Sequence, residues 1–425
     1  MFYSRISLLR HCKNGIVDMN THKILVEFAI VVLPVLCEKS ILNTDSLRKK
    51  IALEVLKVSP VSTVVSPFAL SLPLCQLASV AKGHAKEELM SALGIPRESE
   101  IKNYYINVYR ELLVFLSSTL MLKNMIYLND SLEVDRAVMN ASSYYGVRID
   151  KVGFRYPKAA AKFMNHWFAQ ETLYRVATLI DEEDIDITTS MVILNGIYFK
   201  VAWDQPFDGQ FTRPQKFYDL SNKIWMIPMF SKIDSLKFLD DVNNHVKIVN
   251  LNLMAPGATI TFFLPENRAG LPDLINKFSN DPYLMKKMMS ELRIKTMPMR
   301  LYLPRMKIKT YVDWTGFIRL IGVNDIFSVN DSGLEGMLGS DSRGKVYLSK
   351  AKQKVFLEMD ETGVTWFQNP VNTDKERAAR EFAEFGDNLE QVVFDHPFLF
   401  VVQLAGKGEP HHLLTGAFYG PEEEE

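Results

Sequence analysis

The sequence carries no arrangement of residues that is typical of a catalytic centre. It has no G-x-S-x-G nucleophile motif, no glycine-rich phosphate loop and no H-E-x-x-H zinc motif. The eight histidines are scattered, and His411 and His412 are the one adjacent pair. Neighbouring residues of a strand point to opposite faces, so we do not expect this pair to share a metal ion. The sequence therefore predicts neither an enzyme nor a bound metal or organic cofactor.

The basic residues between Lys286 and Lys309 form a second group that could do chemistry. Eight lysines and arginines stand there against one acid, Glu291. Such a run could bind a polyanion, for example a glycosaminoglycan. The alternation in RLYLPRMKIK is also that of a strand with a solvated basic face, which is the commoner case. Both interpretations stay open at this point.

The overall composition is that of an ordinary globular protein. The chain has 425 residues, 47% of them hydrophobic and 23% charged, with a net charge of −1. Nearly neutral charge argues against a nucleic-acid-binding protein, which needs a basic face. The length alone suggests roughly two or three domains, but no linker, composition break or internal repeat supports that division.

An apolar segment near the N-terminus is typical of a secretory signal. In MNTHKILVEFAIVVLPVLC, Lys23 gives a positive start and residues 28–37 form an apolar run. The run is too short to span a bilayer; a buried N-terminal strand is the alternative. We predict a leader and signal peptide over residues 1–37, with Met1 or Met19 as the start, and hence a secreted, extracellular protein.

Secretion would also decide the chemistry of the cysteines and of three asparagines. The three cysteines, Cys12, Cys37 and Cys75, are a poor disulfide framework. Removal of the leader would leave Cys75 alone, as a buried and unreactive thiol. Three sequons would be glycan acceptors in a secreted chain, at Asn129, Asn140 and Asn330.

Hydrophobic periodicity gives a coarse order of elements. Apolar spacing of three and four predicts helices over 46–57, 68–93 and 161–180, with Pro73 beginning or kinking the second and Gly94 ending it. Apolar runs rich in β-branched and aromatic residues predict buried strands, over 191–203, 258–265 and 393–404. Helices come early and strands late, which indicates an α+β fold with large, mainly antiparallel sheets.

Several motifs resemble those of one family, the serpins. VVFDHPFLFVV (392–402) resembles the family's C-terminal signature. VVSPFALSLPLCQLASVAKGHAKEELMSALGI, LNGIYFKVAWDQPF, LYLPRMKI, LIGVNDIF, DSGLEGM and LLTGAFYGP resemble further family segments in order and spacing. The resemblance covers about residue 45 to 421. It implies a single serpin domain over 38–421, followed by an acidic tail at 422–425.

The resemblance implies a fold and a mechanism. The expected fold has a large, mainly antiparallel sheet, smaller sheets, surrounding helices and an exposed reactive loop at about 361–391. In the family, a serine protease cuts this loop, whose N-terminal half then inserts into the large sheet and carries the acylated protease with it. By resemblance the reactive bond is Arg377–Ala378, which suits a trypsin-like protease, with Lys375 and Arg380 as further contacts. The hinge residues would be Glu361, Thr362, Gly363, Val364, Thr365 and Trp366.

The hinge is poorly suited to insertion. Side chains of an entering strand alternate, and we take Val364, Trp366, Gln368 and Pro370 to face the buried side. Trp366 adds volume to a filled core, at a cost of about 1–3 kcal/mol. Gln368 needs hydrogen-bond partners, and Pro370 has no N–H for a central ladder.

The second half of the loop also departs from the family. TDKERAAREFAEFG has a capping-box spacing from Thr373 to Glu376, a Glu376–Arg380 pair and a glycine at 386. A helix there would hide the Arg377 bond, because proteases bind extended chains. A charged loop without helix is the alternative.

Residues beneath the opening sheet differ from the family as well. The resemblance assigns the sheet-opening region to Ser66, Asn195, Trp203 and Gln353. Ala69 stands where the family usually has a second serine, and Gln353 where many members have a histidine. We therefore expect the family's hydrogen-bonded set to be weakened.

Two classes of function follow. The hinge favours a non-inhibitory serpin that acts as a carrier, chaperone or structural protein. The alternative is an active suicide inhibitor of a trypsin-like serine protease cut at Arg377–Ala378. We expect a monomer, with no nucleic-acid partner and no membrane span.

Overall fold

The computed structural model describes residues 23–24, 44–58, 60–102, 109, 112, 120–281, 283–340, 342, 344–361, 389–405 and 410–421. The helices named below are α1 (Thr44–Val58), α2 (Pro67–Val80), α3 (Gly83–Leu93), α4 (Arg136–Ser142), α5 (Pro157–Glu171), α6 (Leu271–Asn280), α7 (Leu284–Glu291) and α8 (Thr315–Leu320). No helix in this described part is long and apolar enough to cross a membrane.

The strands form three sheets. In chain order they are β1 (Lys23–Ile24), β2 (Thr63–Val65), β3 (Leu120–Asn129), β4 (Arg148–Val152), β5 (Met191–Lys200), β6 (Arg213–Tyr218), β7 (Ile224–Asp234), β8 (Lys237–Asp241), β9 (Val246–Asn252), β10 (Ala258–Pro265), β11 (Arg293–Ile294), β12 (Met299–Pro304), β13 (Met306–Asp313), β14 (Leu348–Met359), β15 (Gln391–Val393), β16 (Phe398–Leu404) and β17 (His411–Phe418). Sheet A has the order β1-β13-β14-β5-β3-β4, sheet B β11-β8-β9-β10-β16-β17-β2, and sheet C β15-β12-β7-β6.

The α+β class with large sheets is confirmed, and sheet B is antiparallel throughout. Sheet A combines antiparallel pairs with parallel ones, of which the β5–β14 pair lies in its middle. Lys23 and Ile24 pair in parallel with Tyr311 and Val312 at its edge. That pairing agrees with the alternative of an N-terminal strand, and cleavage of a leader stays a prediction.

Several predicted boundaries were wrong. The helix predicted over 68–93 is two helices, because Ala81 is extended and the Lys82 N–H donates to Gly333. Pro73 lies within α2 rather than at its start. The helix predicted to end at 180 ends at Glu171, where left-handed Leu173 and Tyr174 turn the chain.

A further error concerns the strand predicted over 393–404. It is divided into β15 and β16 by the Asp395–Pro397 turn. His396 fixes this turn, because its Nδ1 lies 2.7 Å from Asp395 Oδ1 and its Nε2 lies 2.6 Å from the Pro265 carbonyl oxygen. By contrast, β10 has its predicted bounds, and Gly94 ends α3 in a left-handed conformation.

Sheet A is covered on both faces, which positions the functional site. Ile193, Ile197, Val355 and Leu357 on its inner face are at most 1% exposed and share one core with α2 and sheet B. On the outer face Val192 and Leu194 pack with Met164 and Phe168 of α5. The strand predicted over 191–203 is therefore confirmed as the central buried strand β5, although it ends at Lys200 and not at Trp203.

Candidate functional site

The candidate site is the seam between the parallel strands β5 and β14. They pair from Leu348–Met191 to Glu358–Lys200. The chain leaves β14 at Met359 and continues into the predicted loop. A segment folding back from that end would run antiparallel to both strands and could hydrogen-bond to each if they part. The seam thus has the topology required to receive one more strand.

The last described residues before the loop are held at the end of the seam. Trp203 Nε1 donates to the Asp360 carbonyl oxygen at 2.7 Å, and Phe207 N donates to the Glu361 carbonyl oxygen at 3.0 Å. The Glu361 side chain, 5% exposed, accepts from Arg305 Nε at 2.7 Å and also from Nη2. Trp203 and Glu361 therefore meet at the point where insertion would begin.

The charge of Glu361 is favoured by this arrangement. Burial alone would raise the pKa of the carboxyl, but hydrogen bonds from Arg305 and from backbone together lower it. Because the folded-state pKa is depressed, the ion pair stabilises the fold above the usual pKa of a glutamate. That stabilisation is lost as the pH falls through the depressed value.

A hydrogen-bonded network joins the two strands in the middle of the seam. Gln353 Nε2 donates to Asn195 Oδ1 at 2.7 Å and to the Ser66 carbonyl oxygen at 2.9 Å, and its Oε1 accepts from Ser66 N at 3.0 Å. Ser66 Oγ donates to the Leu413 carbonyl oxygen at 2.6 Å. Asn195 Nδ2 donates to Asn124 on β3. The network links α2 with β14, β5 and β3.

The expectation of a weakened set was therefore wrong for Gln353. Its amide has both a donor and an acceptor, so it bonds Ser66 twice and Asn195 once. Ala69 contributes no hydroxyl, but its N–H donates to Ser66 Oγ at 3.1 Å as part of the α2 N-cap. Sequence reasoning missed Asn124, for which neither pattern nor spacing gave a signal.

A segment that follows α5, residues 172–190, is tied to the outer face of β14; we call it the strap. Lys352, 2% exposed, forms an ion pair with Asp184 of the strap. Lys354 Nζ donates to the Thr178 carbonyl oxygen at 2.7 Å. The pKa of Lys354 is lowered mainly by burial and, to a smaller extent, by the positive charge of the nearby Lys309. The alternating lysines of LSKAKQK were the sequence signal for these anchors, and the sequence analysis did not use it.

Several predicted site residues lie outside the described residues. These are the hinge residues Thr362, Gly363, Val364, Thr365 and Trp366, the inserting residues Gln368 and Pro370, and the reactive-bond region with Lys375, Arg377, Ala378 and Arg380. The helix predicted from Thr373 also falls there. All of these stay predictions.

The predicted sequons have different surroundings. Asn129 Nδ2 donates to the Thr189 carbonyl oxygen at 3.2 Å, and its Oδ1 accepts from Ser131. Asn140 and Asn330 are exposed. The folded surface is thus most accessible to a glycan at the latter two.

The basic run Lys286–Lys309 does not form one surface. Lys286 and Lys287 are exposed on α7, while Arg300 is buried in β12 and Arg305 pairs with Glu361. Lys307 and Lys309 lie exposed on β13 of sheet A. The run as a whole therefore divides between separate elements, and a single polyanion site over its full length is not supported.

One group of described residues could hold a metal ion by geometry: His84, Glu88 and Asp325. Its atoms already have partners, since His84 Nδ1 lies 2.8 Å from Asp325 Oδ2 and Glu88 Oε2 accepts from Asn324 N and Asp325 N. The pKa of His84 is raised, chiefly by its hydrogen bond to Asp325. We interpret the group as an exposed ion pair that joins α3 to the turn at Asp325.

Comparisons with known proteins point to one family. A family model described as Serpin (serine protease inhibitor) matches residues 48–417. Antichymotrypsin-2 of Bombyx mori is 27% identical over 89% of this chain and 97% of its own length. Alaserpin of Manduca sexta is 26% identical over 86% and 90%. The crystal structure of Serpin48, a highly specific serpin in the insect Tenebrio molitor, aligns with a TM-score of 0.75 at 24% identity, covering 89% of this chain and 97% of that one.

Proposed function

This chain belongs to the serpin family, and we propose that it is a secreted, non-inhibitory member whose loop is cut by a trypsin-like serine protease without trapping it. The observation that carries the proposal is the presence of Pro370 in the segment that would enter the β5–β14 seam. A strand in that place must pair with both neighbours. Proline has no N–H to give to a central ladder, so one such bond cannot form.

The inner face of the seam adds a steric reason. Ile193, Ile197, Val355 and Leu357 fill it with apolar side chains that are at most 1% exposed. Trp366 would have to be accommodated among them, and added volume in a packed core costs about 1–3 kcal/mol. Gln368 would bring a polar group to the same face, at a further cost of about 1–3 kcal/mol if it finds no partner.

Slow insertion changes the outcome of cleavage. The loop and the acyl-enzyme are in competition, because trapping needs insertion to finish before water hydrolyses the acyl bond. Each 1.36 kcal/mol added to the insertion barrier slows insertion about tenfold. A hinge that inserts slowly therefore gives a cleaved serpin and a free protease. The protein would then act as a carrier, a chaperone or a structural protein.

A second candidate function is active suicide inhibition at Arg377–Ala378. The observation in its favour is the Gln353 network, which joins Ser66 and Asn195 by hydrogen bonds. The hinge start at Glu361 is also held in place by Trp203, Phe207 and Arg305 through their contacts with residues 360–361. Among the similar proteins are ones named Antichymotrypsin-2 and Antitrypsin of Bombyx mori.

Secretion rests on the apolar segment within residues 1–37 and its positive start at Lys23. The exposed sequons at Asn140 and Asn330 agree with it. N-terminal sequencing of protein from the medium of expressing cells, with and without glycosidase treatment, tests both points. A full-length chain that stays in the cells would contradict secretion.

Incubation with trypsin-like proteases tests non-inhibition. We expect denaturing gels to show clean cleavage near Arg377, no detergent-stable band of combined mass, and full residual protease activity. The melting temperature of the cleaved protein should stay close to that of the uncut protein, because no strand has been added to sheet A. A covalent complex at equimolar protease would establish the second candidate instead.

A further inference from the structure

An open crevice lies at the point where β9 changes its neighbour along one edge. Lys237, at the start of β8, pairs with Asn250, and the β8–β9 pairing ends there. Beyond that point the segment after β5 takes the place of β8, because Asp204 N donates to the Asn252 carbonyl oxygen at 3.3 Å. The two neighbours of β9 do not meet, and the space between them is the crevice.

The crevice is large enough for a small organic molecule. It offers a volume of about 170 Å³ between residues 203–205, the corner from Lys232 to Lys237, and β9. One water needs about 10–15 Å³ of such space, so the crevice has room for a ligand of on the order of ten non-hydrogen atoms. Leu251, which is 5% exposed, and Ile294, which is 64% exposed, also line it and provide apolar contact.

Three polar groups of the lining have unused hydrogen-bonding capacity. Asn250 is 8% exposed, and its Nδ2 donates to Thr261 Oγ1 at 2.8 Å. Its side-chain oxygen accepts no hydrogen bond from any residue that the structure describes. The Asp204 carboxylate and the Lys237 ammonium group are exposed, and neither forms a hydrogen bond or an ion pair with those residues. An acceptor, an anion and a cation are therefore left for a ligand.

The other charges at this place already have partners. Within the crevice, Lys232 Nζ lies 3.0 Å from Asp234 Oδ2. Next to the crevice, Lys295 Nζ lies 3.2 Å from Glu390 Oε2, and the Arg293 guanidinium donates to two backbone carbonyl oxygens of its own segment. The lining itself carries two acids and two bases, so its net charge is zero and one charge of each sign remains unpaired.

A lining of this kind suits a zwitterion better than an ion of one sign. A simple anion would meet the carboxylate of Asp204, and a simple cation would meet the ammonium group of Lys237. A molecule that carries both charges can satisfy both side chains, and hydrogen bonds between charged groups are about twice as strong as neutral ones. The strand positions beside these two residues, 250 and 252, are about 7 Å apart along β9, so both side chains can reach one small headgroup.

We propose that this crevice binds a free α-amino acid with an apolar side chain. The ammonium group of the ligand binds Asp204 and the side-chain oxygen of Asn250, and its carboxylate binds Lys237. Its side chain contacts Leu251 and Ile294. The site lies beside the β5–β14 seam and not within it, so binding is independent of whether this serpin traps a protease.

Calorimetric titration with L-leucine and two analogues tests the ligand class. Isopentylamine has the same carbon skeleton without the carboxylate, and isocaproate has it without the ammonium group. We expect each analogue to bind at least about tenfold more weakly than L-leucine, because a site with buried or charged partners discriminates against a ligand that leaves one of them unpaired. Equal binding of all three would overturn the proposal, and so would the absence of binding of L-leucine at millimolar concentration.

Substitutions at the two unpaired charges test the assignment of each ligand group. D204N should weaken binding of L-leucine and of isopentylamine about tenfold and leave isocaproate unchanged. K237Q should weaken L-leucine and isocaproate and leave isopentylamine unchanged. The matched controls are D240N on β8 and K216Q on β6, which make the same chemical changes at exposed positions outside the crevice. Both controls should bind like wild type.

Thermal melting separates a loss of binding from a loss of fold. Asp204 and Lys237 are exposed, so D204N and K237Q should melt like wild type when no ligand is present. L-leucine should raise the melting temperature of wild type and of both controls more than that of D204N or K237Q, since a ligand stabilises the state that it binds. Equal increases in all five proteins, or weaker titration by D240N and K216Q alone, would show that the amino acid does not bind in the crevice.

Discussion

At the scale of single residues, a hydrogen bond between the side-chain amides of Gln353 and Asn195 joins β14 to β5. Gln353 offers a donor and an acceptor at once, and it uses both toward Ser66 and Asn195. An amide does not change its protonation between pH 5 and 8, whereas an imidazole does. The network joining α2 to β14 and β5 is therefore expected to be insensitive to pH in that range.

Substitution of two buried glutamines, Gln353 and Gln76, is predicted to change the free energy of unfolding in opposite directions. Gln353→Leu leaves Ser66 N and Asn195 Oδ1 without their partner and should lower the free energy of unfolding by about 2 kcal/mol. Gln76 on α2 is fully buried, and neither of its amide atoms has a hydrogen-bond partner in the described structure. Gln76→Leu should therefore raise the free energy of unfolding by about 1 kcal/mol.

Urea unfolding followed by circular dichroism measures both changes. Each variant is the control for the other, since both replace a buried glutamine by leucine. Destabilisation of equal size in the two variants would show that side-chain shape, and not hydrogen bonding, decides the stability at Gln353.

At the scale of elements, the strap is tied to the outer face of β14, one of the two strands that insertion would separate. It lies over β14 through Lys352–Asp184 and Lys354–Thr178, and it is tied to α5 by Asn165, which accepts from Leu179 N at 2.8 Å. Lys354 keeps a cation in a partly buried place beside Lys309, which lowers its pKa. The hydrogen bond from Lys354 that helps to hold the strap therefore keeps a charged group partly buried, which is electrostatically unfavourable.

Replacement of Lys354 should make the fold more stable. Lys354→Met removes the desolvated charge, while the exposed Thr178 carbonyl can bond to water. The depressed pKa means that the unfolded chain binds the proton more tightly than the folded one. The cost is therefore present at neutral pH and disappears as the pH rises toward the ordinary lysine pKa.

Thermal melting at several pH values measures this effect. We expect Lys354→Met to melt at a higher temperature than wild type at neutral pH, with the difference shrinking as the pH approaches 10. Lys350→Met, on the same face of the same strand, is the control. A difference that grows with pH would contradict the assignment.

The sequence predicted the elements that have strong periodicity and missed what depends on packing between them. β5 and β10 were identified because long apolar runs bounded by polar residues have few alternatives. The end of α5 was missed because Leu173 and Tyr174 adopt left-handed conformations that no local signal predicts. The Gln353 network was misjudged because a family pattern records residue types, whereas hydrogen bonding depends on reach and orientation.

At the scale of the whole molecule, the failure to trap a protease that we propose depends on a competition between parting of sheet A and hydrolysis of an acyl bond. The parallel β5–β14 pair has the topology that an added antiparallel strand would require, and Glu361 is held at its end by Arg305. The segment that would enter carries Trp366, Gln368 and Pro370. The limitation that we propose therefore lies in the incoming strand and not in the sheet.

Repair of the hinge should restore trapping. Trp366→Ala removes the bulky side chain and Gln368→Ala removes the polar group from the face predicted to enter the core. Pro370→Ala supplies the backbone N–H that proline lacks. Lowering the insertion barrier by about 2 kcal/mol speeds insertion roughly thirtyfold. The fraction of a trypsin-like protease recovered as a covalent complex should rise accordingly on denaturing gels.

The matched control changes the alternate positions Thr365, Phe367 and Asn369 to alanine. These residues are predicted to face the other side of the entering strand, so trapping should stay low. An equal gain in both triple variants would show that the two faces are not distinguished, and no gain in either would place the obstacle elsewhere in the loop.

The single buried thiol of the described chain gives this competition a direct reporter. Cys75 is 0% exposed within α2, and burial raises its pKa, so it cannot react while the helix stays packed. Reaction with an alkylating reagent proceeds only in molecules where α2 has separated from its neighbours. In a chain from which the leader has been removed as predicted, Cys75 is the one cysteine of the sequence, so its labelling rate counts how often the interior becomes open to solvent without an engineered thiol.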